Sequence, residues 1–245
     1  MKAVILCAGT GSRLGNLTKA VPKPMLPLNG KPLLAYTLNY LTKFDIREIA
    51  INVHFSPDQI TDYFKDGQSY GASLHYSHEE KLLGTAGALV KLAPWLADEK
   101  EFLVLYGDIL TDQNISLLID KHHKERSFAT LLLHKRKKSN SIVKIDETNR
   151  IACFEERPSE DKKRGLLKNN DDVWVNSGVQ VLSNEALDYI VNTGAFDLPR
   201  DVYCNSVENK RIFGVPLTGF RIAIDSPDRY HEAEQAIKRG NYKFS

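Results

Sequence analysis

Residues 3–8 (AVILCA) form a continuous apolar run, the pattern of a strand buried on both faces of a parallel sheet. Residues 48–55 (EIAINVHF) and 102–106 (FLVLY) repeat it, and residues 73–77 also read as a strand. Between these runs the spacing becomes helical. Over residues 32–41, Leu33, Leu34, Leu38 and Leu41 fall near one side. Residues 57–64 predict a short helix with Ser56 as its N-cap, and residues 85–96 a helix entered through Gly84. Strands alternating with helices of this length predict a doubly wound α/β domain.

The pattern changes after about residue 126. Residues 128–134, 141–146, 151–156 and 173–182 are predicted strands with few helices between them, and Glu147-Thr148-Asn149-Arg150 suits a hairpin turn. Residues 159–172 are charged, contain Gly165 and Asn169-Asn170, and read as a surface loop. A strand over residues 220–224 and a helix over residues 227–238, with proline in its first turn, close the chain. The expectation is one domain over residues 1–245, Rossmann-like in residues 1–126 and β-rich in 127–245, built on a mixed sheet. No internal repeat is visible, and no C-terminal β-helix is expected.

Composition narrows the choice little. With 42% hydrophobic and 26% charged residues the chain can bury a substantial core. The net charge of +2 gives no reason to expect nucleic acid or an anionic membrane as partner. Cys7, Cys153 and Cys204 are too few for a disulfide framework and lack zinc-ligand spacing, so reduced thiols in the cytoplasm are expected. The first apolar run is too short for a signal peptide. No segment is long and apolar enough for a bilayer span.

The chemistry begins at Gly9-Thr10-Gly11-Ser12-Arg13-Leu14, directly after the first strand. Glycines at a strand's carboxyl end let backbone N–H groups approach a phosphate, although a tight turn alone also explains them. Leu14 breaks the dinucleotide fingerprint, and no Gly-Lys-Ser/Thr follows for a Walker loop. The loop runs on to Thr18 without helical periodicity. Then comes Pro22-Lys23-Pro24-Met25-Leu26-Pro27, where prolines hold the backbone extended and restrict where Lys23 can point. Leu83-Gly84-Thr85-Ala86-Gly87 opens a helix, and close helix packing is the competing explanation. Tyr106-Gly107-Asp108 places an acid at the edge of a buried strand, costly to desolvate without a cation or donors. Asp112, four residues on, reads as an N-cap or turn residue.

These motifs, in this order, resemble the sugar-1-phosphate nucleotidyltransferase family. The match continues through Glu155-Glu156-Arg157-Pro158, Asn176-Ser177-Gly178 and Ile224-Asp225-Ser226-Pro227. Two departures are visible. Gly15-Asn16-Leu17-Thr18 lacks the proline common before the lysine segment, and Arg157 stands where the family has lysine. Arginine keeps the charge but reaches differently.

The resemblance implies a partner nucleoside triphosphate and a partner sugar 1-phosphate. Leu6, Ala8, Gly9 and Gly11, with Gly84 and Thr85, would bind the nucleotide. Arg13 would clamp its outer phosphates, and Lys23 would neutralise charge between the reacting phosphates. Asp108 and Asp225 would hold Mg²⁺. Glu156, Arg157 and Asn176 would bind the sugar phosphate. In texture the chain is closest to short mannose- and heptose-1-phosphate guanylyltransferases, which implies GTP. Uridylyl, thymidylyl or cytidylyl transfer, phosphocholine as acceptor, and a non-catalytic regulatory subunit remain alternatives, and homo-oligomerisation is left open.

Overall fold

The computed structural model describes residues 1–137, 139–166 and 172–243. Two compact units emerge, both discontinuous in sequence: Met1–Leu83 with Glu101–Ile115 and Thr218–Ser245, and Gly84–Lys100 with Ser116–Leu217.

In the first unit, four parallel strands lie in the order Glu101–Tyr106, Ala3–Leu6, Glu48–Val53, Ser73–His78. Ala3, Val4 and Ile5 are fully buried, which is why the run shows no polar alternation. Leu6 stands beside Tyr106 on one side and Asn52 on the other. A parallel sheet brings the carboxyl ends of its strands to one edge, where open α/β sheets take their ligands. A separate two-stranded ladder pairs Arg221–Ala223 with Ile109–Thr111. The closing helix, Pro227–Lys238, is capped by the Ser226 hydroxyl and buries Tyr230, Ala233 and Ile237 beside Leu14, Leu26 and Leu110.

In the second unit, Ile151–Glu156, Ser141–Ile145, Val173–Ser183 and Ala129–Arg136 run antiparallel to their neighbours. Ile212–Pro216 adds a parallel edge to Ala129–Arg136. Asp146 stabilises the predicted hairpin turn by accepting from the amides of Thr148 and Arg150 at 2.8 and 2.9 Å, and Asn149 takes φ +63°.

The α/β class and the strands read from the sequence are present. Several details differ. Ser56 sits before the helix Pro57–Phe64 in a left-handed conformation (φ 45°), and its side chain makes no cap bond; capping needs an extended N-cap to aim the oxygen at the free amides. Residues 12–18 are not irregular but form two 3₁₀ turns broken at Gly15, whose φ of 58° and ψ of −120° suit glycine. The loop expected from Ser159 begins instead as a helix, Glu160–Leu166. It has acids in its first turn and bases in its last, the arrangement the helix dipole favours; Asn169-Asn170 lie outside the described residues. The β-rich half also carries the helix Asn184–Thr193, which the sequence reading passed over.

Candidate active site

The Gly loop leaves the first strand at Cys7 and ends at Gly11, which has φ +66°. A Cβ at Gly11 would stand 3.0 Å from Thr18 Cγ2 and 3.3 Å from Lys23 Cβ. The absence of a side chain thus lets the lysine segment close on the loop. Thr18 Oγ1 donates to the Gly11 carbonyl at 2.9 Å, as does the Leu14 amide. Ala8 is buried and Gly9 exposed, so the loop's middle is open to a ligand.

Where the prolines were expected to keep the backbone extended, Lys23 instead starts a single 3₁₀ turn held by Met25 N–H to Pro22 O and Leu26 N–H to Lys23 O. Pro24 is buried beneath it. The lysine side chain, only 11% exposed, places Nζ 2.7 Å from Asp108 Oδ2. Asp108 is placed by Gly107, whose amide donates to the Leu6 carbonyl at 2.9 Å. A Cβ at Gly107 would lie 2.5 Å from Cys7 Sγ and 2.8 Å from Leu6 O, so only glycine lets the two strand ends approach this closely.

Asp225 reaches the same place by a different route. The ladder that pairs Ala223 with Ile109 continues through Ile224 N–H to the Asp108 carbonyl, 2.8 Å. Asp225 then follows the last bonded residue and precedes the Ser226 cap. Arg13, with an exposed side chain, stands with Nη1 4.0 Å from Asp225 Oδ2. Each predicted carboxylate therefore faces one predicted cation. Asp112 does not cap a helix. It is buried and accepts from the Phe220 amide at 2.6 Å and the Lys243 amide at 3.2 Å, tying down the chain on either side of the closing helix.

Among the described residues no three His, Cys, Asp or Glu side chains converge as a metal cage. Asp108 and Asp225 are both partly exposed and adjoin through the ladder. Two carboxylates that leave further positions to phosphate oxygens and water suit Mg²⁺, which dehydrates reluctantly.

Cys7 is 6% exposed. Burial, with the Asp108 carboxylate adding to it, pushes its thiol far above the ordinary range, and the thiolate is the reactive form.

In the second unit, Gly84 has φ +75° and lies against Phe196, whose carbonyl a Cβ would meet at 2.2 Å. That carbonyl accepts from the Ala86 and Gly87 amides at 3.0 and 3.5 Å, which occupies two of the first amides of the helix Gly84–Leu96. The Thr85 hydroxyl accepts from Leu198 N–H at 2.7 Å and donates to Asp197 at 3.3 Å. Its side chain is therefore already committed within the unit.

On the predicted sugar side, Glu156 accepts from the Ser141 hydroxyl, and its other oxygen is 3.7 Å from Arg157 Nε. Arg157 takes φ +51° and is largely exposed. Asn176 opens a bulge in its strand: its Oδ1 accepts from Gly178 N–H at 2.9 Å, and Nδ2 donates to Gln180 at 3.2 Å. Gly178 has φ +80°, which explains the glycine of the Asn-x-Gly turn.

Sequence reasoning missed two buried polar residues of the first unit. Asn52 accepts from the Cys7 amide at 2.6 Å, and Glu79 accepts from Asn52 Nδ2 at 2.8 Å. The visible signal was an asparagine inside an otherwise apolar strand.

The family model described as nucleotidyl transferase matches residues 2–204. A D-glycero-alpha-D-manno-heptose 1-phosphate guanylyltransferase of Campylobacter jejuni is 34% identical over 185 residues, covering 76% of this chain and 77% of that protein. A UTP–glucose-1-phosphate uridylyltransferase of Synechocystis is 30% identical over 225 residues, covering 85% of this chain. The chain spans only 56% of the length of that second relative. The crystal structure of HddC from Yersinia pseudotuberculosis complexed with GMP-PN shares the fold, with a TM-score of 0.77 at 21% identity over 96% of this chain and 99% of that one.

Proposed function

The chain belongs to the nucleotidyl transferase family, and on that premise we propose that it joins a nucleoside triphosphate to a sugar 1-phosphate. The products are a nucleoside diphosphate sugar and pyrophosphate. The observation that carries this reading is the doubled cation–carboxylate arrangement at the Gly loop, Lys23 with Asp108 and Arg13 with Asp225.

Attack of one phosphate on another brings like charges together, so positioning and cations supply most of the catalysis. An oxygen of the sugar phosphate attacks the α-phosphorus in line. The bond from that phosphorus to the bridging oxygen breaks, and pyrophosphate departs with the bonding pair. Lys23 sits between the two phosphates and lowers their repulsion. Arg13, on its exposed arm, holds the departing β- and γ-phosphates. Backbone around Leu6, Ala8, Gly9 and Gly11 receives the nucleotide, and Gly84 and Thr85 contribute main chain rather than side chain. Asp108 and Asp225 would hold Mg²⁺, whose charge offsets that of the triphosphate. Glu156, Arg157 and Asn176 take the sugar phosphate. No covalent enzyme intermediate is needed, in keeping with a protonated Cys7. The three free thiols suit a reducing compartment, and we place the enzyme in the cytoplasm.

GTP with mannose 1-phosphate or a heptose 1-phosphate is the proposed pairing, supported by the guanylyltransferase at 34% identity. A site that hydrogen-bonds the guanine 2-amino edge leaves buried groups unpaired with ATP, and a pyrimidine leaves part of the base slot empty. The test is kcat/KM for GTP, ATP, UTP, dTTP and CTP with both sugar phosphates. GTP should lead; a preference of about tenfold or more for a pyrimidine triphosphate overturns the base assignment and leaves the reaction class standing.

A further inference from the structure

We infer that Asn52 and Glu79 are positioning residues that set the Gly loop for the triphosphate; this rests on the nucleotidyl transfer proposed above. The Cys7 amide donates to Asn52 Oδ1 at 2.6 Å, Asn52 Nδ2 donates to Glu79 Oε1 at 2.8 Å, and the Leu83 amide donates to Glu79 Oε2 at 3.0 Å. Asn52 and Glu79 are 3% and 5% exposed, so water cannot replace a lost partner. The chain of bonds joins the first residue of the Gly loop to the last residue before Gly84. Both of those segments carry residues proposed to contact the nucleotide.

The identities of the two side chains follow from a parity argument. Both ends of the chain are main-chain N–H groups, which only donate. Two amides placed between two donors always leave one donor facing another. One amide and one carboxylate satisfy every contact, and they do so in either order. Burial makes an unsatisfied contact costly, so the pair acts as a unit. Glu79 is itself fixed at the end of its strand, where its amide donates to the Val53 carbonyl at 2.8 Å and its carbonyl lies 2.8 Å from His54 Nδ1.

Because either order satisfies every contact, an exchange of the two groups should rescue the loss of either. Glu79→Gln creates a donor–donor contact, and Asn52→Asp sets two carboxylates against each other. The double variant Asn52→Asp with Glu79→Gln restores all three bonds with the order reversed. Each single variant should raise KM for GTP about tenfold, the loss expected for one unsatisfied buried donor or acceptor, while kcat and KM for the sugar 1-phosphate stay within about twofold. The double variant should return KM for GTP to within about twofold of wild type. Amide exchange at Cys7 and Leu83, read by NMR without substrate, should quicken at one or both positions in each single variant, where the mismatched pair is pushed apart, and stay slow in wild type and the double.

A residue that only supports the fold predicts something else: a lower Tm with unchanged KM in the single variants, which overturns the inference. So does a double variant no better than either single. Should a single variant not fold, the double still decides, by a wild-type or a raised KM. Should wild type transfer no nucleotide to any sugar phosphate, the proposed activity fails, and the exchange pattern alone then judges the positional claim.

Discussion

Lys23 Nζ lies 2.7 Å from Asp108 Oδ2 with the lysine side chain 11% exposed, so the residue proposed to bridge the reacting phosphates rests on a residue proposed to hold the metal. Partial burial keeps this pair less screened than a surface ion pair. Each charge is compensated before substrate arrives. A metal arriving alone would give Asp108 a new partner and leave Lys23 without one. A metal arriving with a triphosphate supplies both, the cation to the carboxylate and phosphate oxygens to the lysine. The ion pair therefore favours joint arrival.

Replacing Lys23 with alanine separates these two effects. Turnover should fall by about 3–5 kcal/mol of transition-state stabilisation, the loss expected for an oriented charge. Binding of Mn²⁺ without nucleotide, followed by EPR, should become tighter because Asp108 is released. Near-normal turnover in a folded Lys23→Ala protein removes the lysine from the mechanism.

Asn substitutions at Asp108 and Asp225 keep the side-chain shape and remove the charge. Activity should require added Mg²⁺ or Mn²⁺ and vanish with EDTA. In either variant the metal concentration for half-maximal rate should rise by about tenfold or more, with little change in Tm. Metal titrations that match wild type in both variants contradict the assignment.

How much of this was legible beforehand depended on the range of the interactions. The strand Ala3–Leu6 was readable because burial removes alternation, and the start of Pro227–Lys238 was readable because proline suits a helix's first turn. Glu160–Leu166 buries no residue and so has no periodicity to read. Ser116–Glu125 buries only Leu118 and His122. Asn184–Thr193 did carry signals: the Ser183 hydroxyl accepts from Ala186 N–H, and Gly194 ends the helix at φ +63°. In the site, Lys23 and Asp108 stood out through local turn chemistry. Asn52 and Glu79 did not, because their partners lie 45 and 27 residues away in sequence.

Cys7 should be inert despite its place at the start of the Gly loop. Its thiol is pushed up by burial and then by Asp108, so little thiolate exists at pH 8. Iodoacetamide applied to the native protein should leave Cys7 unmodified in peptide mass maps and leave turnover intact. Inactivation that tracks alkylation of Cys7 contradicts this picture.

His122 gives the fold a specific acid sensitivity. It is buried, its Nδ1 lies 3.1 Å from Thr130 Oγ1, and burial followed by the neighbouring His123 lowers its pKa from 6.5 to about 4. Below pH 6.5 the unfolded chain takes up this proton while the native protein does not. The stabilisation is therefore complete above pH 6.5 and is lost as pH falls toward 4, with a limiting slope of about 1.4 kcal/mol per pH unit. Urea midpoints at pH 7.0 and 5.0 should show the loss, and His122→Gln should lessen the dependence. Equal dependence in the variant assigns the effect to other groups.

The central claim is phosphate-on-phosphate attack between two substrates, and ³¹P NMR of one reaction mixture tests it most directly. Purified protein with Mg²⁺, GTP and mannose 1-phosphate or a heptose 1-phosphate should lose both substrate signals and gain those of pyrophosphate and a nucleoside diphosphate sugar in equal amounts. Omission of the sugar phosphate or addition of EDTA should leave GTP unchanged. Release of inorganic phosphate or GDP in place of pyrophosphate, or pyrophosphate release without the sugar phosphate, contradicts the account.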